Sequence, residues 1–399
     1  MGKLNMATML LMLSLLFVSI AKAETVFDIR SYGGKPNRDI LLPLLDAFGD
    51  ACESPTPSKV LIPKGTFLLS QVSLDGPCRK PVEVQVQGNL IAQTEPEDLN
   101  QEDSSWITFD HIDHLTLSGG GTLDGQGPKA WGTCGKDSDC NNLPINLMFN
   151  TITNGIVQDV TSKDSKQVHV NVLGSKNLAF QRFTISAPED SINTVGILIG
   201  KSTAINITDS NIATGDECIS MGDGSQDITV TKVTCGPGHG ISVGNLGKYE
   251  NEEPVSAVSV RNCTISGTTN GVSIKTWPAS FEGSVSNMLF EDIIMNNVGN
   301  PVLIDQVYCP GNQCNAKLPS RVKINNVRFK NISGTSSTPV AVKLSCSSGI
   351  QCQGVEIADI DLTYTGDDAP EAVSQCSNVQ PKISGKMNPP ACSSPATTP

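Results

Sequence analysis

The segment AINITDSNIA, residues 204–213, decides the fold, because segments of the same kind recur along most of the chain. In each, apolar and polar residues alternate, with many Val, Ile, Asn and Thr residues, and Gly, Asn and Asp lie between the segments. Alternation with a period of two predicts a β-strand with one buried face. The related segments are NLAFQRFTIS from 177, DITVTKVTC from 227, AVSVRNCTIS from 257, NMLFEDIIMNNV from 287, RVKINNVRFKNIS from 321 and GVEIADIDLTY from 354.

The spacing of these segments indicates the architecture. Consecutive starts between residues 177 and 354 are 27, 23, 30, 30, 34 and 33 residues apart. A strand-rich repeat of this length predicts a β-solenoid, in which each coil buries its apolar face against its neighbours. The alternative is a β-sandwich, which would place strands every ~8–12 residues in hairpins. The sequence therefore predicts an all-β, single-domain parallel β-helix over residues 24–399.

The two ends of the chain differ from the repeats. Residues 40–52 carry the best helical periodicity and predict a short N-terminal helix that caps the stack. The tail from about residue 387 is rich in Pro, Ser and Thr and predicts a loose end. Residues 1–23 resemble a secretory signal peptide, with Lys3, an apolar run and the cleavage site Ala21-Lys22-Ala23. The apolar run is too short and too early for a membrane span, so we expect a secreted, extracellular protein.

Cysteine usage agrees with export. The chain has 13 cysteines, and zinc ligation is disfavoured because CxxC-type spacing with a nearby histidine is absent. We expect disulfides and one buried unpaired thiol, Cys263. The expected pairs are Cys52/Cys78, Cys134/Cys140, Cys218/Cys235, Cys309/Cys314, Cys346/Cys352 and Cys376/Cys392. Three sequons, at Asn206, Asn262 and Asn331, are candidate glycosylation sites.

The chain is acidic, with a net charge of −12. Removal of the predicted signal peptide takes away two lysines and no acid. This charge argues against nucleic acids and anionic membrane surfaces as partners. An anionic substrate would have to be held by a few local cations.

The tetrad Gly215-Asp216-Glu217-Cys218 places two carboxylates side by side. Neighbouring residues of a regular strand point to opposite faces, so both face one site only if the chain bends, which Gly215 permits. Two close carboxylates push one pKa upward and so provide an acid and a base. An inverting glycosidase needs that pair, with carboxyls ~6.5–9.5 Å apart to admit a water. The alternative is a solvated turn.

His239 lies between two glycines, about one coil after Asp216. Stacking of coils would bring the two side chains together, and a histidine there could orient the acid by hydrogen bonding. The alternative is a structural histidine.

The segment SIKTW, residues 273–277, lies roughly one coil further along. Alternation places Ser273, Lys275 and Trp277 on one face, with Ile274 in the core. Lys275 could bind the carboxylate of an anionic sugar, and Trp277 could support a sugar ring. The alternative is a solvated lysine beside a packed tryptophan.

Further segments carry a family resemblance: FDIRSYGGKP from 27, VLIPKGTF from 60, GGGTLDGQG from 119, GDGS from 222, GPGHGISVGNLG from 236 and IDQVYC from 304. With these, the chain resembles the polygalacturonases, glycoside hydrolase family 28, and among them the plant pollen-type exopolygalacturonases. The resemblance covers nearly the whole mature chain. It implies a right-handed parallel β-helix that hydrolyses α-1,4-linked galacturonan with inversion, without a metal or other cofactor.

The resemblance also implies roles for individual residues. The family motifs NTDG, GDDC, GHG and RIK correspond to residues 193–196, 215–218, 238–240 and 273–275. They imply that Asp216 is the general acid, that Glu217 replaces an aspartate that activates water, and that His239 is retained.

Two positions depart from the family pattern. Val195 replaces a water-activating aspartate, and Ser273 replaces an arginine. Lys275, Tyr308 and Asn193 match substrate-binding positions. Loss of part of the general base would lower turnover, since such catalysis contributes ~10²–10⁴-fold.

The expected function is that of a secreted, monomeric polygalacturonase, exo-acting (galacturan 1,4-α-galacturonidase), which degrades pectin during cell-wall remodelling in pollen. The alternative is a catalytically weakened or inactive pectin-binding wall protein of the same fold. A pectate lyase is a more distant alternative, because it would require a calcium site and an arginine base.

Overall fold

This computed structural model describes residues 24–95, 104–133, 143–312, 314–367 and 371–392. The predicted signal peptide, residues 1–23, lies outside the described residues. Within the described part of the chain, no helix is long and apolar enough to cross a membrane.

The chain forms a parallel β-helix, as the repeat spacing predicts. Its strands form two sheets in which the described pairings between named strands are parallel, and each strand pairs with strands from the neighbouring coils. The described strands of the first sheet, here called the front sheet, are Val72–Asp75, Ser105–Asp110, Ile145–Asn150, Val170–Leu173, Ile197–Gly200, Ile219–Met221, Ile241–Leu246, Asn270–Thr276, Asn300–Asp305, Val340–Ser345 and Val373–Ser377.

The second sheet, here called the back sheet, contains two strands from most coils. Its described strands are Thr25–Asp28, Ser58–Ile62, Thr66–Leu68, Val82–Val86, Asn89–Ile91, Leu115–Ser118, Thr122–Asp124, Thr153–Gln158, Thr161–Lys163, Lys176–Gln181, Thr184–Ser186, Thr203–Thr208, Asn211–Ala213, Gln226–Thr231, Thr234–Cys235, Val255–Ser266, Gly283–Val298, Val322–Ser336, Gln353–Tyr364 and Lys382–Asn388.

The core between the sheets is a stack of aliphatic and phenylalanine side chains. In the front sheet, Ile197, Ile219 and Ile241 occupy the same position in successive coils, and all are fully buried. Phe290 and Phe329 stack with ring centroids 5.1 Å apart in the back sheet. Because each coil supplies only one layer, burial of the core depends on stacking, as the sequence predicts.

A column of residues in the left-handed region turns the chain between the paired back-sheet strands. Asp159, Arg182, Asp209 and Lys232 hold equivalent positions with φ of 55°, 49°, 50° and 55°. Their charges alternate, and Arg182 Nε donates to Asp159 Oδ1 at 2.7 Å. Such exposed pairs add little stability individually, but opposite charges in adjacent coils also favour this register.

The helices include one that the sequence predicts and shorter ones that it does not. The helix Leu41–Glu53 covers the N-terminal end, where the sequence predicts a cap over residues 40–52, and its buried face includes Leu44, Ala47 and Phe48. A short helix, Pro128–Thr133, and 3-10 turns at Ile29–Tyr32 and Pro310–Asn312 were not predicted.

The C-terminal prediction needs a correction. The segment expected to be loose from about residue 387 begins inside the strand Lys382–Asn388, and Cys392 is bonded to Cys376. Strand pairing and the disulfide therefore tie its first part to the solenoid, and residues 393–399 lie outside the described part.

The structure forms each predicted disulfide whose cysteines it describes: Cys52–Cys78, Cys218–Cys235, Cys309–Cys314, Cys346–Cys352 and Cys376–Cys392. Cys134 and Cys140 lie outside the described residues. Cys263 is buried and unpaired, as predicted. The sequon residues Asn206, Asn262 and Asn331 are all exposed, and their glycosylation stays a prediction.

Candidate active site

The two adjacent carboxylates lie in a bend between the strands Asn211–Ala213 and Ile219–Met221. Gly215 is required there because a Cβ would stand 2.0 Å from the backbone oxygen of Ser191. In the bend, the backbone N–H of Glu217 donates to Asp216 Oδ1 at 2.8 Å. Both side chains therefore serve one site, as the sequence predicts for a bent GDEC segment.

The nearest oxygens of the two carboxylates lie close together. One oxygen of Asp216 and one of Glu217 lie within 4.8 Å, below the ~6.5–9.5 Å typical of inverting glycosidases. Because the residues are adjacent in one bend and joined by a backbone hydrogen bond, both carboxylates lie within reach of one site.

His239 approaches Asp216 from the next coil. Its Nδ1 lies 2.9 Å from Asp216 Oδ1, and its backbone N–H donates to the backbone oxygen of Asp216 at 2.8 Å. Gly238, with φ 132°, allows this approach, because a Cβ there would lie 2.3 Å from the same backbone oxygen. The structure thus brings together the two side chains that coil spacing predicted to meet.

Lys275 reaches the pair from the strand Asn270–Thr276, one coil beyond the strand that follows His239. Its Nζ donates to Glu217 Oε1 at 2.6 Å, and both residues are buried, with 4% and 7% exposure. The ammonium also lies 5.1 Å from the centroid of the Tyr308 ring. Lys275 is therefore engaged by the protein itself, and its predicted role in substrate binding stays a prediction.

The surroundings of the two carboxylates shift their pKa values in opposite directions. Burial raises the pKa of Glu217, the Asp216 carboxylate raises it further, and Lys275 opposes both. Burial would also raise the pKa of Asp216, but hydrogen bonds from His239 and Glu217 outweigh it and hold this pKa below its usual range. The hydrogen bond to Asp216 raises the pKa of His239, against the effect of burial. The pKa of Glu217 is thus shifted upward and that of Asp216 downward, whereas the family motif implies the proton on Asp216.

The same three residues also form a potential cation-binding set. Asp216, Glu217 and His239 each offer a donor atom, and these atoms lie within 4.8 Å of one another. Their donors are already hydrogen-bonded within the cluster, and the ammonium of Lys275 contacts Glu217. The ammonium of Lys275 beside Glu217 would repel a cation bound there, which disfavours a resident metal.

The turn that carries Asn193 and Val195 lies on the other side of the Asp216–Glu217 bend. Gly196 N donates to the backbone oxygen of Glu217 at 2.8 Å, which places Val195 beside Glu217 in the adjoining coil. Val195 is half-buried, and Asn193 is exposed with φ 56°. The structure therefore places an apolar side chain where the resemblance implies a second base.

Ser273 stands in the same front-sheet register as Ser242 and Leu303. It is fully buried, and its Oγ has no hydrogen-bond partner in the described structure. The arginine that the resemblance implies at this position is thus replaced by a short side chain that contacts no polar group there.

Sequence reasoning missed two residues near the site, Lys248 and Tyr249. Lys248 Nζ lies 5.2 Å from the ring centroid of Trp277, which in turn packs edge-on against Tyr308 at 6.1 Å. The available signal was the long connection after Leu246, since the next back-sheet strand begins only at Val255.

A right-handed parallel β-helix with paired carboxylates, a histidine and a lysine on adjoining coils defines a class of carbohydrate-active enzyme. Residues 52–388 match the family described as Glycosyl hydrolases family 28. The chain belongs to this family and is a glycoside hydrolase.

Individual proteins are similar over most of their length. A Nicotiana tabacum polygalacturonase is 53% identical over 388 residues, with 97% of each chain covered. An Oenothera organensis exopolygalacturonase is 53% identical over 356 residues, which cover 88% of this chain and 98% of the relative. Among solved structures, a Thermotoga maritima exopolygalacturonase has a TM-score of 0.75 at 17% identity, covering 92% of this chain and 93% of its own. That likeness supports the fold alone.

Proposed function

We propose that this protein is an extracellular polygalacturonase that hydrolyses α-1,4-galacturonan of the plant cell wall, acting from chain ends and with inversion. The names of its relatives in tobacco and Oenothera support the activity, and the second of these is named for exo action. The observation that carries the proposal is the contact cluster of Asp216, Glu217, His239 and Lys275, because it supplies an acid–base pair in which each carboxylate has its own orienting partner.

The proposed roles follow the family motifs. Asp216 protonates the leaving oxygen, and Glu217 activates water as the remaining base. His239 positions Asp216 through its hydrogen bond, and Lys275 positions Glu217. Tyr308 and Asn193 contact the substrate. Secretion through removal of residues 1–23, a single solenoid domain from residue 24, a monomeric state and a role in pollen belong to the same proposal.

Reducing-sugar release from polygalacturonic acid tests the activity. An exo enzyme releases monogalacturonate from the start, whereas an endo enzyme first releases a mixture of oligomers. The anomer formed, followed by proton NMR, tests inversion, which matters because the carboxylates are close. Absence of release by a folded wild-type protein would favour the alternative of an inactive pectin-binding protein, against which the names of the relatives argue.

The division of roles between the carboxylates needs a separate experiment, because their pKa values are shifted in the directions opposite to those that the proposed roles imply. An aryl galacturonide with a good leaving group needs no general acid. We expect Asp216→Asn to retain activity on it and Glu217→Gln to lose it. The opposite pattern would make Glu217 the acid.

A further inference from the structure

The proposed substrate carries a carboxylate on every sugar, yet the family motifs leave this chain a single cation, Lys275, which is already paired with Glu217. Lys275 is buried and paired with Glu217, and the arginine position is Ser273. The chain as a whole is acidic, at −12. Long-range electrostatics therefore oppose an anionic polymer, and a local exposed cation is required.

Lys248 meets this requirement. It is exposed, and within the described residues no carboxylate oxygen lies within 4 Å of its Nζ. The backbone around it is fixed by one side chain, because Glu252 accepts hydrogen bonds from the N–H groups of Gly247, at 2.6 Å, and Tyr249, at 2.9 Å. A single carboxylate thus holds the chain on both sides of Lys248 while its ammonium remains available.

Aromatic rings connect Lys248 to the catalytic cluster. Its Nζ lies 5.2 Å from the Trp277 ring centroid and 5.4 Å from that of Tyr249. Trp277 packs against Tyr308, and the Tyr308 ring lies 5.1 Å from Lys275 Nζ. Lys248 therefore stands two rings away from the ammonium that contacts Glu217. Rings on both sides restrict where its ammonium can lie, which pre-organises it for an anion.

We propose that Lys248, Tyr249 and Trp277 form a subsite for an anionic sugar, in which Lys248 binds the carboxylate of a uronate next to the one being cleaved. Tyr249 is 63% exposed and offers its ring to the apolar face of that sugar. This inference rests on the proposed function, because it takes galacturonan as the ligand. It assigns recognition of substrate charge to a residue outside the family motifs.

The test compares binding of trigalacturonate and of its neutral methyl ester by calorimetry, at low salt and at high salt. We expect Lys248→Gln to weaken trigalacturonate binding by about 2- to 5-fold at low salt, the range of an exposed ion pair. The loss should shrink at high salt, because the interaction is screened. Binding of the ester should change little, and Lys248→Arg should retain affinity for the acid.

Matched controls keep the result interpretable. Lys323→Gln removes the same charge from an exposed position of the back sheet and should leave binding unchanged. Lys343 lies on the front sheet, two strands beyond Ser273 in the same register. If Lys343→Gln weakens binding and Lys248→Gln does not, the subsite is assigned wrongly.

Failure of the proposed subsite can be distinguished from failure of the proposed function. Hydrolysis of polygalacturonic acid by the wild type, with equal affinity of wild type and Lys248→Gln for trigalacturonate, would overturn the subsite and leave the proposed function standing. A folded wild type that neither binds trigalacturonate nor hydrolyses the polymer would overturn both.

Discussion

Two turns flank the Asp216–Glu217 bend, one from each adjoining coil, and they differ in what they offer the site. The turn at residues 236–240 supplies His239, whose imidazole contacts Asp216 at 2.9 Å. The turn at residues 188–196 supplies Val195, which has no group that could accept a proton. The second turn is nevertheless tied to the bend by hydrogen bonds as closely as the first.

The buried hydroxyl of Thr194 shows how closely the Val195 turn is tied to the Asp216–Glu217 bend. Its Oγ1 lies 2.7 Å from Thr214 Oγ1 and 2.6 Å from Ser191 Oγ, and it accepts from the N–H of Gly215 at 3.0 Å. The backbone of the Val195 turn is thus held in place by groups other than the side chain at 195. The backbone structure of a turn in this site can therefore be kept without its catalytic side chain. The turn at residues 236–240 keeps both, whereas the turn at residues 188–196 keeps only the backbone structure.

The largest effect is expected at the bend that the two turns share. Asp216→Asn should lower hydrolysis of polygalacturonic acid by ~10²-fold or more, because an amide cannot protonate the leaving oxygen. Initial rates by reducing-sugar assay measure it. The control is Asp227→Asn, which removes an exposed carboxylate of the back sheet at a residue in the left-handed region. It should leave the rate of hydrolysis unchanged. Undiminished hydrolysis by Asp216→Asn would show that another residue is the general acid. The bend between the two turns would then not be the catalytic centre.

The second prediction tests whether the Val195 turn can be repaired. Val195→Asp should raise turnover by ~10-fold, since it places a second base beside Glu217 without any change in the backbone. Thermal stability should fall slightly, because three carboxylates would repel one another. Val195→Asn has nearly the same shape but no basic group, so it should give no gain. A wild type as fast as Val195→Asp would mean that Glu217 suffices as the base.

The third prediction disturbs the scaffold and leaves the chemistry alone. Thr194→Val removes a buried hydroxyl on which several hydrogen bonds converge and leaves the Gly215 N–H without its partner. We expect the free energy of unfolding to fall by about 1–3 kcal/mol, measured by urea denaturation. Thr229→Val, on the outward side of a back-sheet strand, controls for the substitution itself. Equal stability of the two variants would show that the turn does not depend on this hydroxyl.

The smallest effect concerns the pH dependence of the His239 turn. The pKa of His239 is raised in the folded protein, so its contribution to stability is fully present below its ordinary value of 6.5 and is lost as the pH rises through the folded-state pKa. The stability difference between wild type and His239→Gln should be larger at pH 5.5 than at pH 9. We expect less than about 1 kcal/mol, because the imidazole is half-exposed. A difference independent of pH would mean that the imidazolium–Asp216 contact contributes nothing.

Much of the candidate site follows from the spacing of motifs in the sequence. Asp216 and His239 were predicted to meet because they lie 23 residues apart, one coil of the repeat. The pairing of Glu217 with Lys275 was not predicted, because the residues lie 58 apart and intervening turns vary in length. Lys248 escaped notice for a related reason, since the position of a residue in a long turn depends on packing and not on strand period.

The sequence by itself determined the parallel β-helix, its capping helix and the family, because period-two alternation, helical periodicity and fixed residue motifs are local properties of the chain. The tertiary structure decided which charges meet. Distances of a few ångströms between coils depend on how each bend and turn packs, and so determined the close carboxylate pair, the burial of Lys275 against Glu217 and the ring contacts of Lys248. Electrostatic interactions change steeply over such distances. The identities of the motif residues alone therefore could not predict in which direction each carboxylate pKa is shifted.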